Sequence, residues 1–370
     1  MTDADTAGGT AAETSIAIIG IGAVAEVHAL AIDDVAGATL VAGSCRTEET
    51  GRAFAERFDC AWYDDTATML AETAPDVVTV CTPSGAHLEA VTVAAEYGAD
   101  VLCEKPLEIT TERIDRLVEV ATEAEITLGG IFQQRFNPVV RTVREASEAG
   151  RFGSLAVANA TVPWWRDDAY YGPERWQGTQ ALDGGGALMN QSIHGIDAIQ
   201  WLAAGTMDLE PGENPVAAVS AYTAVRGHDD DLLEVEDTAV AALRFRNGAL
   251  GQLLGTTAAY PGSERRLVLG GRDGTATVEG DELVTWRFRE EDAADERVRE
   301  RFGETGAGSG GATDPMDIEY ANHARTLEAF LEARRSDEPY PLDAAEARKA
   351  VEIIEAIYES ADRGEPVTIE

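Results

Sequence analysis

Two short stretches carry residue types suited to moving a proton and a charge. In Leu182-Asp183-Gly184-Gly185-Gly186-Ala187-Leu188-Met189-Asn190-Gln191-Ser192-Ile193-His194-Gly195-Ile196-Asp197, Asn190 and His194 are four apart and His194 and Asp197 three apart. In a regular helix that spacing puts all three on one face, and the glycines before them let backbone or ligand approach closely. The other stretch is Cys103-Glu104-Lys105-Pro106, and Lys105 is one of only two lysines, with Lys349, in 370 residues. Oxidising a secondary alcohol needs a base with a pKa near the working pH, which suits His194, while an ammonium such as Lys105 favours the developing alkoxide. Taken singly, a helical histidine is more often a core residue and a lone lysine a surface one. Their neighbours make the case.

The elements that must position them follow from hydropathy. Apolar runs at 15–19, 39–44, 61–63, 77–81, 100–103 and 127–131 read as strands. Helical patterns at 24–32, 48–58, 66–71, 86–97 and 111–125 alternate with them, which is the pattern of a doubly wound parallel sheet. Lys105 then emerges at the carboxyl edge of the fifth strand, where ligands of such folds bind. The first strand runs into Gly20-Ile21-Gly22-Ala23-Val24-Ala25. This turn lets backbone approach a pyrophosphate that sits at a helix N-terminus, so a dinucleotide is expected there. The second strand ends in Gly43-Ser44-Cys45-Arg46-Thr47 with no carboxylate before Glu48. Ser44 and Arg46 suit a 2′-phosphate, so NADP(H) is favoured over NAD(H). As a solvated loop residue, Arg46 would say nothing.

After residue 137 a helical stretch to 150 gives way to strand patterns at 154–162, 217–225, 238–245, 249–257, 265–270 and 275–279. Asn247-Gly248 between two of them is a hairpin signal. This half reads as an α+β domain with a large, mainly antiparallel, open-faced sheet. One helix at 187–203 interrupts it, a Gly- and acid-rich loop covers 304–313, and helices at 317–334 and 344–363 close the chain. The expected division is a disordered tail at 1–14, a Rossmann domain at 15–137 and a substrate-binding and oligomerisation domain at 138–370. The segment 164–176 holds Trp164, Trp165, Arg166, Tyr170, Tyr171, Arg175 and Trp176, a density of rings and donors suited to a sugar, though packing explains part of it. Gln134, Arg135 and Asn137, just after the sixth strand, should face the same cleft.

Charge narrows the partners. With 67 acidic and 29 basic residues the net charge is −38, so nucleic acid and anionic membranes are disfavoured. The acids are spread out as a solvated coat, resembling proteins of salt-loving microbes. Cys45, Cys60, Cys81 and Cys103 show no C-x-x-C pairing and read as free thiols of a cytoplasmic protein. His28, His87, His228 and His323 share no spacing, so no metal is assigned. Neither a signal peptide nor a membrane span is expected.

The glycine turn, Thr82-Pro83-Ser84 through His87, Glu104-Lys105-Pro106, and the triple glycine followed by His194 and Asp197 together resemble the glucose-fructose oxidoreductase and inositol dehydrogenase family. The resemblance spans nearly the whole chain. It implies that Gly20, Gly22, Ala23, Val24, Ser44, Arg46, Thr82, Pro83, His87, Glu104 and Lys105 hold the nicotinamide cofactor. The resemblance puts Lys105 on the reacting hydroxyl, and Lys105, Gln134, Arg135, Trp165, Arg166, Trp176, Asn190 and His194 are expected to hold a sugar or polyol. Lys105, His194 and Asn190 form the implied catalytic set, with His194 as acid/base. Many relatives carry Asp where this chain has Asn190, which cannot share a proton. Two alternatives stay open: a nucleotide-sugar (UDP-sugar) 3-dehydrogenase, and a cofactor-sensing regulator without chemistry. A homodimer or homotetramer through the open sheet is expected.

Overall fold

Ile16, Ile18, Val77, Val78, Val80 and Val101 are completely buried, because the short strands that carry them are covered by helices on both faces. The computed structural model describes residues 13–172, 175–229, 231–291, 293–303, 320–336 and 338–370. Strand β1 (Thr14–Ile19) leads to α1 (Ala23–Asp34), then β2 (Ala38–Ser44), α2 (Glu48–Phe58), β3 (Ala61–Tyr63), α3 (Thr66–Thr73) and β4 (Val77–Val80). A short turn of helix precedes α4 (His87–Glu96), followed by β5 (Asp100–Cys103), α5 (Thr111–Glu123) and β6 (Leu128–Gly130). These six strands pair in the order β3-β2-β1-β4-β5-β6, and every pairing is parallel. The order reverses beside β1, so the carboxyl ends of β1 and β4 open a crevice at that point.

Helix α6 (Pro138–Glu148) is started by Asn137, whose Oδ1 accepts the backbone N–H groups of Val139 and Val140. That use, together with its amide on Asp281, keeps Asn137 as a helix cap. Next come β7 (Leu155–Pro163), α7 (Ile193–Ala204), β8 (Val216–Ala224), β9 (Thr238–Phe245), β10 (Leu250–Thr256), β11 (Arg266–Gly271) and β12 (Gly274–Glu279). The chain ends with β13 (Glu282–Phe288), α8 (Ala293–Phe302), α9 (Ala321–Ser336), α10 (Ala344–Arg363) and β14 (Val367–Thr368). The eight strands of this sheet lie in the order β13-β12-β11-β7-β10-β9-β8-β14. All its pairings are antiparallel except β10 with β7. Helices α7 and α10 cover one face of it. On the other, Tyr222 pairs with Val240 and Leu250 with Val157, and all four are exposed.

Three sequence expectations need correction. Thr14 already belongs to β1, so a boundary after residue 14 falls inside the first strand; residues 1–12 lie outside the described residues, as do the loop 304–313 and positions 317–319. Strands β13 and β14 and helix α8 were not foreseen. The segment 187–203 is not one regular helix either: Ala187–Ser192 forms a π-helical turn before α7 begins at Ile193. The wider turn changes the angle between Asn190 and the residues that follow, while His194 and Asp197 keep their three-residue spacing inside α7.

Candidate active site

At the end of β1, Gly20 holds φ +95°, and a Cβ there would lie 2.8 Å from the backbone of Cys81 and Thr82. Only glycine permits this crossing of β1 and β4. Gly22 caps α1 without any side-chain bond, and space in front of it is open to 4 Å. Gly22 and Ala23 are exposed, Val24 is half-buried, and the buried hydroxyl of Thr82 has no partner. Free N–H groups at a helix start, an open cradle and an unused hydroxyl fit a dinucleotide's phosphates and ribose. Ser44, at the end of β2, is buried with its hydroxyl on Thr66, while Arg46 is exposed and makes no ion pair among the described residues.

Two residues from the implied cofactor set have partners in the scaffold. His87 is buried, with Nδ1 on the Pro106 carbonyl at 2.9 Å and Nε2 on the Thr82 carbonyl at 3.0 Å, which ties the loop of Pro83 to the loop of Lys105. Glu104 is buried with Oε1 facing His28 Nε2 at 3.0 Å and His323 Nε2 at 3.4 Å, and Oε2 accepting the Lys105 N–H. Burial alone would raise its carboxyl, but the bonds from His28 and His323 outweigh that and hold it well below the usual range. This clasp joins α1, the end of β5 and α9, and so fixes the backbone of Lys105. Among the described residues this trio is the one group whose metal-ligand atoms converge, all within 4.8 Å. A metal-bound imidazole passes its other N–H to an acceptor. His323 Nδ1 is buried without one, so a hydrogen-bonded clasp suits the trio better than a metal centre.

Lys105 reaches across from the first sheet, and its Nζ donates to the Asn190 carbonyl at 2.8 Å in the π-helical turn. Burial lowers the Lys105 pKa, partly offset by Glu104 and Asp183. His194, one turn on, is buried and its Nδ1 has no partner. Burial and then the Lys105 ammonium push the imidazole well below its usual range, so it is neutral at pH 7. The buried Arg265 guanidinium pushes in the same direction.

The match with known proteins follows this geometry. Residues 14–130 fit the family described as "Oxidoreductase family, NAD-binding Rossmann fold", and residues 140–277 fit the "GFO/IDH/MocA C-terminal domain". The WlbA dehydrogenase from Bordetella pertussis, solved with NADH and UDP-GlcNAcA, superposes with a TM-score of 0.85 at 30% identity, covering 98% of this chain and 99% of that one. The chain belongs to the Gfo/Idh/MocA oxidoreductase family. It is also 26% identical to the D-glucoside 3-dehydrogenase of Escherichia coli over 97% of this chain and 99% of that protein. With the myo-inositol 2-dehydrogenase of Thermotoga maritima it shares 28% identity over 70% of this chain and 73% of that protein.

The remaining residues of this Gfo/Idh/MocA member sort by their partners. Arg135 is removed from the cleft: its guanidinium is buried on both oxygens of Asp197, at 2.9 and 2.6 Å, and on Glu346 at 2.9 Å. It is an ion pair between α7, α10 and the segment after β6, and it takes Asp197 out of the polar face as well. Gln134 is half-buried with its Oε1 unpartnered. Trp165 is half-buried and stacks on His228 with ring centres 6.0 Å apart. Trp176 is half-buried, and its carbonyl accepts the Thr179 hydroxyl. Arg166 is buried and donates to Gln191 Oε1 at 3.1 Å, and Gln191 in turn donates to the Tyr170 hydroxyl at 2.7 Å.

Sequence reasoning passed over Asp183, which accepts the Asn190 side-chain amide at 2.7 Å, and Glu236, which accepts the N–H groups of Gly186 and Leu188. Burial pushes each of these carboxyls up to about 7. A signal for Asp183 was present, since it stands directly before the glycines; for Glu236, some fifty positions downstream, there was none. The triple glycine is explained by packing rather than by a ligand: a Cβ on Gly186 would lie 1.7 Å from the Glu236 carbonyl, and one on Gly185 2.2 Å from the Tyr358 hydroxyl.

Proposed function

We propose that this protein transfers a hydride between a nicotinamide dinucleotide and a secondary alcohol or carbonyl carbon of a sugar, sugar derivative or cyclitol. The observation that carries the reading is the bond from Lys105 Nζ to the Asn190 carbonyl, which puts the cofactor domain's lysine beside the segment of His194. When bound, the nicotinamide supplies the hydride acceptor for oxidation and the donor for reduction. His194, neutral and with a free Nδ1, takes the hydroxyl proton, and the Lys105 ammonium steadies the oxygen as negative charge develops on it. Asn190 can orient a hydroxyl but cannot take its proton, so His194 acts alone as acid/base. Tyr170, Arg166 and Gln191 supply polar contacts to the sugar, and Gln134, Trp165 and Trp176 border the same region.

NADP(H) is proposed over NAD(H), supported by the absence of a carboxylate at the end of β2 and by the free, exposed Arg46. A nucleotide sugar oxidised at C3 is the second reading, favoured by likeness to the Bordetella dehydrogenase that was solved with UDP-GlcNAcA. We also propose a cytoplasmic protein adapted to high salt, supported by four unbridged cysteines and a net charge of −38, and pairing of copies through the exposed face of β7 to β10. No described helix is long and apolar enough to cross a membrane. The test is a screen of free sugars, cyclitols and UDP-sugars with NAD⁺ and NADP⁺ at high salt, followed by absorbance of the reduced cofactor. Turnover of at least one of them is expected, with a higher kcat/KM for NADP⁺; no reduction of either cofactor by any of them contradicts the reading, and a preference for NAD⁺ overturns the role given to Arg46.

A further inference from the structure

Asp183 is 1% exposed, and both of its oxygens are taken by donors. Oδ2 accepts the Gly178 N–H at 2.8 Å and Oδ1 accepts Asn190 Nδ2 at 2.7 Å. This fixes which end of the Asn190 amide points inward. Asn190 Oδ1 is left facing Gln191 Nε2 at 3.2 Å and the Tyr170 hydroxyl at 3.5 Å. From the other end, Arg166 can only donate, so Gln191 must meet it with Oε1 and turn its Nε2 toward Tyr170. The Tyr170 oxygen therefore accepts from Gln191 and Arg166, and among the described residues its own proton meets the long contact to Asn190, which is weak at that length.

We infer that Asp183 is a positioning residue for the substrate. Together with Arg166 it sets the hydrogen-bond polarity of the row Asn190, Gln191, Tyr170, so that the row offers the sugar a Tyr170 proton and an Asn190 acceptor beside Lys105. This rests on reading Lys105 and His194 as the hydride-transfer site. A carboxylate is required at 183 because two donors meet there, and an asparagine has one acceptor oxygen for the two. In this chain the acid missing from position 190 thus stands behind it, acting through its amide.

The groups around Asp183 make the arrangement sensitive to pH. Burial raises its carboxyl to about 7, the bonds from Gly178 and Asn190 and the Lys105 ammonium pull it down, and Glu236 pushes it up. Tyr170, Tyr171 and Tyr358 face the same carboxylate, and Arg166 bears on Lys105 and on Tyr170 and Tyr171. The ionised form is the stronger acceptor, so the row tightens as pH rises through about 7.

The experiment compares crystal structures of the NADPH-loaded wild type and Asp183→Asn, with KM and kcat for UDP-N-acetylglucosaminuronic acid and myo-inositol across pH 6 to 8. In Asp183→Asn the Asn190 amide is expected to turn over and the Gln191 to Tyr170 bond to break, while Lys105 stays on the Asn190 carbonyl. KM should rise about tenfold, more than kcat falls, the loss of one hydrogen bond to a charged group, and its change through pH 7 should vanish. The exchange Asp183→Asn with Asn190→Asp restores matched donors and acceptors, and it should fold and recover most of the lost KM even if the single variant does not fold. An Asn190 and Tyr170 arrangement in Asp183→Asn identical to wild type, or an exchange variant no better than the single one, overturns the inference. If neither sugar is turned over by the wild type, the choice of those substrates falls, and the two crystal structures still decide the role of Asp183.

Discussion

His194 shows why a residue's type and its surroundings must be read together. Its type was legible from the sequence because an imidazole four residues after Asn190, behind three glycines, is an unusual set. Its protonation state was not, since burial and the distant Lys105 determine it. With only five histidines in the chain, imidazole NMR resolves the point. His194 is expected to remain neutral from pH 8 down through 6.5, and Lys105→Met should move its pKa upward by removing a neighbouring positive charge. A His194 that titrates at its ordinary value in both proteins contradicts the assignment. Glu104 and Arg135 mark the limit of reading residues singly. Both sit in motifs that suggest ligand contact, yet their partners His28, His323, Asp197 and Glu346 lie up to more than two hundred positions away. Local sequence does not carry such pairings.

Among the elements, the six strands and five helices of the first unit were readable because each is a short apolar run or an amphipathic repeat bounded by turn residues. The second unit was less so. Strand β13 alternates buried Leu283, Trp286 and Phe288 with exposed residues, but a bulge against β12 breaks the period. The π-helical turn at Ala187–Ser192 is set by Glu236, which receives the N–H groups of Gly186 and Leu188. That bond brings the segment leading into β9 so close to Gly186 that any larger residue collides with the Glu236 backbone. Gly186→Ala should therefore cost about 1 to 3 kcal/mol, as overpacking does, measured as a lower urea midpoint. It should also displace Asn190 and His194, so activity should fall further than stability. Unchanged stability in this variant would mean that the contact is not as close as described.

For the whole molecule, charge and the open sheet face set the expectations. A net charge of −38 favours expansion through self-repulsion, which salt screens within a few ångströms at molar concentration. Thermal midpoint should thus climb as potassium chloride is raised from about 0.1 to 2 M, which shortens the Debye length from ~10 Å to below ~3 Å; a flat or falling midpoint argues against adaptation to salt. Pairing through the sheet predicts that Leu250→Asp, facing Val157 on the exposed side, shifts the light-scattering mass toward that of one chain. A mass unaffected by that charge removes this face as the interface. Catalysis as proposed requires Lys105, from the end of β5, and His194, from α7 between β7 and β8, to act on one hydroxyl. The direct measurement is single-turnover reduction of bound NADP⁺ by a sugar that the wild type oxidises, repeated in Lys105→Ala and His194→Ala. The account predicts that each variant binds the cofactor and loses about 10²- to 10⁴-fold in the rate of hydride transfer; wild-type rates in both would contradict it.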